Sequence, residues 1–141
     1  MLSPTGIPDA IRLVVVGAHL TGMPLNHQLL ALGAELVRAD KTGPLYRLYD
    51  LPDAEPPKPG LLRVGETNGR AIDVEVWSLA AAAFGTFVSL VPAPLTIGTV
   101  VLSGGDMEKG FLVEAVAVDG ARDISGFGGW RSYRGAATAD A

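Results

Sequence analysis

Four apolar residues in succession, Leu13-Val14-Val15-Val16, read as a strand buried on both faces, and the rest of the pattern is laid out around them. A first strand is predicted over 11–16 and a short helix over 25–32, with Gly33 at its C′ position. Extended segments follow at 34–39, 45–51 and 61–64. Ile72-Asp73-Val74-Glu75-Val76-Trp77 alternates strictly, as a half-buried strand does, which puts Asp73 and Glu75 on the solvated face. Ser78 is placed to cap a helix over 79–91, where Leu79, Ala83, Phe84, Phe87, Val88 and Val91 recur at three- and four-residue steps. Gly85 inside that helix predicts close packing on the sheet. A strand over 99–102, a turn at Gly104-Gly105-Asp106 and an alternating run over 111–118 read as a hairpin. The glycine-aromatic segment 126–133 is expected to dock on the body. Residues 1–10 read as a loose lead, 11–134 as a single domain and 135–141 as a disordered tail. Strands outnumber helices, so the class is α+β, with a closed or half-closed sheet and helices packed against it.

Composition narrows the function. A chain of 141 residues holds one domain, and its 15 acids against 11 bases leave a net charge of −4, against a nucleic-acid partner. Without cysteine there is no disulfide, thiolate metal site or cysteine nucleophile. No apolar run reaches the roughly 18 residues of a membrane span, and no signal peptide stands at the start. A cytoplasmic protein without membrane contact is the expectation.

The candidate chemistry follows the first strand. Gly17-Ala18-His19-Leu20-Thr21-Gly22-Met23-Pro24 breaks at two glycines and leads into the helix, a layout that turns backbone N–H groups toward an anion. His19 stands in its middle. The loop matches neither the dinucleotide pattern nor the phosphate loop, there is no serine elbow, and His19 and His27 have no carboxylate at metal-ligand spacing. No metal and no cofactor are expected. A loop histidine often only holds its turn; this one lies where a strand ends and a helix begins, where ligands bind. Tyr46 and Arg47 read either as pocket lining or as core and solvent. The proline-rich stretch 52–60 reads as a surface loop without chemistry.

The motifs Gly17-Ala18-His19-Leu20-Thr21-Gly22-Met23-Pro24-Leu25-Asn26, Tyr46-Arg47-Leu48-Tyr49, Lys58-Pro59-Gly60-Leu61 and Val74-Glu75-Val76-Trp77-Ser78-Leu79 resemble the C-terminal domain of allophanate hydrolase. So do Pro92-Ala93-Pro94-Leu95, Lys109-Gly110-Phe111 and Phe127-Gly128-Gly129-Trp130; the likeness runs from about residue 13 to 133. The resemblance implies a γ-glutamylcyclotransferase-like fold, a small mixed β-barrel with packed helices. In that superfamily the loop after the first strand cradles the substrate, and Gly17-Ala18-His19-Leu20 occupies its place. The glutamate that cyclotransferases use falls by this alignment in 91–94, where there is no acid.

The resemblance further implies help in decarboxylating N-carboxycarbamate, a small dianion, in the breakdown of allophanate and urea. On this reading Gly17, Ala18 and Leu20 hold one carboxylate and Tyr46 lines the pocket. A cation among Arg47, Arg63 and Lys109 holds the other carboxylate, and His19 is the general acid. The chain is expected to be either a free-standing relative or a piece of a larger enzyme, and Met1 favours the first. A non-catalytic module that docks on an amidase or drives homo-oligomer formation is the alternative reading, and γ-glutamyl cyclisation the third.

Overall fold

The computed structural model describes residue 7 and residues 9–139. The lead over 1–6 and residue 8, and the last two positions of the tail, lie outside the described residues.

The run Leu13–Val16 is buried throughout because β1 (Ala10–Val15) is the middle strand of a five-stranded sheet. β1 pairs antiparallel with β5 (Asp73–Ala80) on one side and parallel with β7 (Met107–Val113) on the other. β2 (Glu35–Lys41) and β6 (Leu95–Val101) are the edges, giving the order β2-β5-β1-β7-β6. A second sheet of three strands has the order β4-β3-β8, with β3 at Tyr46–Asp50, β4 at Pro59–Arg63 and β8 at Arg122–Asp123. The α+β class holds, but the sheet is not closed into a barrel. Among the described residues its two edges meet at one end, where Thr42 bridges Leu102 and Gly43 N donates to Val101 O at 2.9 Å.

Helix α1 (Asn26–Ala31) ends at Leu32, and Gly33 takes the left-handed C′ position at φ +76°. Helix α2 is shorter than its apolar pattern, Ala81–Ser89, because β5 runs on through Ser78 to Ala80. Ser78 is buried in that strand, and the N-cap is Ala80 without a side-chain bond. Nothing lies within 4 Å of a Cβ built on Gly85, so close packing does not account for that glycine.

The hairpin is β6 with β7, turning at 102–106, in a register that pairs Gly98 with Gly110. The alternation beyond Val113 does not continue the strand. Residues Ala115–Val118 form a 3-10 turn: Glu114 N makes the last bond of the ladder, to Pro94 O at 3.0 Å, and Pro94 has no N–H to carry the pairing further. The aromatic segment docks as expected: Trp130 opens α3 (Trp130–Ala139) and is buried, as is Tyr133. That helix carries the backbone through Gly135 into the stretch read as a tail.

Candidate functional site

β1 delivers the chain to Gly17 against the start of β4. A Cβ at Gly17 would lie 2.2 Å from Pro59 Cδ and 2.5 Å from its Cγ, so only glycine fits this approach. Beyond it the loop folds its carbonyls inward. Gly17 O accepts from Leu20 N at 3.0 Å, Ala18 O from Leu25 N at 2.8 Å, and His19 O from Asn26 Nδ2 at 2.9 Å. The amides of Gly17, Ala18 and His19 donate to no group among the described residues, whereas those of Leu20 and Thr21 are spent inside the protein. Gly17, Ala18 and His19 border a niche of about 20 Å³ that they share with Lys58, Pro59 and Phe111. It is room for a water or one carboxylate oxygen.

The His19 ring is buried (8 % exposed) and fixed on three sides. It stacks on Phe111 at 5.1 Å and 18°, meets Phe87 edge-on at 5.0 Å, and donates from Nε2 to Gln28 Oε1 at 2.8 Å. Gln28 thereby holds the Nε2 proton, and Nδ1 is the atom that gains or loses one. Burial pushes the His19 pKa below the ordinary histidine value; the Gln28 bond opposes this, and the charges of Lys58 and His27 add to it. In the free protein the ring is therefore neutral at pH 7.

His19, Gln28, Lys58, Phe87 and Phe111 line a cleft of about 200 Å³, with Glu55 and Leu90 also on its wall. The basic group here is Lys58, from the proline-rich stretch that the pattern had marked as a plain surface loop. No sequence rule singles it out, because only the pairing of β3 with β4 carries that loop to the mouth of the Gly17 turn.

The other residues expected with His19 do not join it. Tyr46 is fully buried in the core, and its hydroxyl accepts from Val101 N at 2.9 Å. Arg47 clasps Asp123, with Nε and Nη2 both 2.8 Å from Oδ2, and reaches Asn68 O at 3.1 Å. Lys109 reaches Thr99 Oγ1 at 3.1 Å beside Arg12 and Met107, on a different surface. Arg63 does not line the His19 cleft. The Leu20 side chain is core, and its amide closes the turn.

Glu75, read from alternation as a solvated strand acid, is buried under the loop. Its Oε1 accepts from Thr21 N at 2.8 Å, Thr21 Oγ1 at 3.0 Å and Trp77 Nε1 at 3.2 Å, and Oε2 takes Arg131 Nη2 at 3.1 Å. Burial acts to raise its pKa, and these hydrogen bonds outweigh burial and bring it below the usual glutamate value. Among the described residues no three His, Asp or Glu side chains gather as a metal site, and no helix is long and apolar enough to cross a membrane.

Residues 11–135 match the family model of the allophanate hydrolase C-terminal domain. The chain belongs to that family. The domain is 44 % identical over 128 residues to the urea amidolyase of Lachancea kluyveri, covering 89 % of this chain and 7 % of that protein. It superposes on the allophanate hydrolase of Kluyveromyces lactis with a TM-score of 0.87 at 41 % identity, over 93 % of this chain and 22 % of the other. The allophanate hydrolase C-terminal domain thus occurs there as a small part of much longer chains. It also matches a uropathogenic E. coli-specific protein, with a TM-score of 0.82 and 36 % identity over 89 % of this chain and 96 % of that one. A γ-glutamyl cyclotransferase shares the fold alone, at a TM-score of 0.56 and 9 % identity.

Proposed function

We infer that this domain binds a small dianion between the Gly17–His19 amides and Lys58, and assists decarboxylation of N-carboxycarbamate in allophanate and urea breakdown. The observation that carries the reading is the polarity of the loop. Its carbonyls are bonded inward while three successive amides are left for a ligand, beside a lysine and a histidine. One carboxylate sits on the amides and the other on Lys58. The C–N bond to the departing carboxylate breaks, carbon dioxide leaves, and the electron pair stays on nitrogen. A proton delivered there completes carbamate. His19 supplies it from Nδ1, after the bound dianion has raised the pKa of the ring and offset Lys58.

Malonate, with two carboxylates on a one-atom spacer, is the stable probe. Calorimetric titration should show saturable binding that weakens about tenfold or more in Lys58→Gln. His19→Asn should bind malonate but no longer speed carbon dioxide release from N-carboxycarbamate. A folded protein that ignores malonate, or a His19→Asn variant as active as the parent, would overturn the reading.

The docking reading has one observation in its favour: in the yeast relatives this domain accompanies a far longer chain. Co-purification with an amidase, without malonate binding, would select it.

A further inference from the structure

A second, larger lobe of about 320 Å³ adjoins the His19 cleft: Glu55, Lys58, Pro92 and Leu95 line both, and the second lies between Leu51–Glu55 and Pro92–Leu95 with Ala117 on its wall. Lys58 stands at the junction and also borders the amide niche. A dianion of seven heavy atoms fills the niche and part of the first lobe, and leaves the second empty. The second lobe has proline, alanine and leucine walls; its charged groups are Asp53 together with Glu55 and Lys58, which it shares with the first lobe, so that once Lys58 holds the dianion two carboxylates remain.

Resting on the function proposed above, we propose that the ligand is an N-substituted member of the same class, a small dicarboxylate whose central atom carries an uncharged arm of about three to six heavy atoms lying in the second lobe. The chemistry selects such an arm. Apolar walls reward buried methylenes, and Asp53 and Glu55 repel a further carboxylate. The arm leaves the head groups free to reach the amides and Lys58, and it gives the domain a means of choosing among carboxylated amines.

Calorimetry on the full chain with malonate, 2-butylmalonate and adipate tests this. 2-Butylmalonate should bind about tenfold tighter than malonate, the scale expected when a few methylenes leave water in a half-open cleft. Adipate, whose second carboxylate would enter the acidic lobe, should bind more weakly than malonate. Ala117→Trp should fill the second lobe, keep the malonate affinity and abolish the gain from the butyl arm; Ala54→Trp serves as a second plug. A butyl arm that adds nothing, a gain that survives both plugs, or adipate binding tighter than malonate would overturn the proposal while leaving the dianion site standing. Failure of malonate and 2-butylmalonate alike, in a folded protein, would remove the underlying reading and this one with it.

Discussion

The carboxylate of Glu75 takes both the backbone N–H and the hydroxyl of Thr21, at 2.8 and 3.0 Å, and so ties β5 to the loop that carries His19. Arg131 of α3 binds the same two residues, reaching Thr21 O at 2.6 Å and Glu75 Oε2 at 3.1 Å. The loop is thus held by groups from the sheet and from the final helix together. Glu75→Ala leaves four donors without their acceptor, of which Trp77 Nε1 is buried. It should lower the unfolding free energy by about 2–4 kcal/mol and weaken malonate binding in the protein that remains folded. Urea denaturation and calorimetry read the two effects.

The same carboxylate sets an acid limit. Its folded pKa lies below the unfolded one, so its contribution is complete above the usual glutamate range and is lost as pH falls through the lowered folded value. Stability curves against pH should therefore drop in that acid window in the parent and drop less in Glu75→Gln.

His19 gives a second window with the same sign. Its folded pKa is depressed, chiefly by burial, so the unfolded chain binds the proton more readily. Stability is full above the ordinary histidine value and declines as pH falls from there through the folded value; His19→Asn should flatten that stretch. A dianion bound as proposed would reverse the shift, so malonate binding near neutral pH should take up protons. Heats measured in buffers of different ionisation enthalpy report the number.

Two glycines should answer an alanine in opposite directions. Gly17→Ala drives a Cβ into the Pro59 ring and should cost about 1–3 kcal/mol, with loss of malonate affinity as the loop backs away. Gly85→Ala meets open space on exposed helix and should raise stability by about 0.5–1 kcal/mol. Thermal melts of the two variants check both signs.

Tyr46→Phe removes one hydrogen bond, to Val101 N, and should cost about 1 kcal/mol without touching malonate affinity. Lys109→Gln should leave both stability and affinity unchanged within about 0.5 kcal/mol, since its partner is an exposed threonine. Against the loss expected for Lys58→Gln, titration of these variants separates the cation at the cleft from the others.

Local pattern determined much of this protein. An unbroken apolar run dictates a central strand, as Leu13–Val16 shows, because only a strand flanked by two others hides both faces. Glycine at 17 and at 33 marks the close approach and the helix stop, and an ordered set of short motifs was enough to name the family. Periodicity failed where a partner far along the chain took over. Ser78 stays in the strand because β5 pairs on both edges there, the ladder of β7 stops at Glu114 because its partner Pro94 has no N–H, and Glu75 is buried by Thr21 and Arg131 rather than solvated. The candidate site followed the same division. The loop and its histidine were legible because they are contiguous residues. Lys58 beside them, and the separation of Tyr46, Arg47 and Lys109 from them, were not, because hydrogen bonds between strands distant in sequence decide which side chains share a cavity.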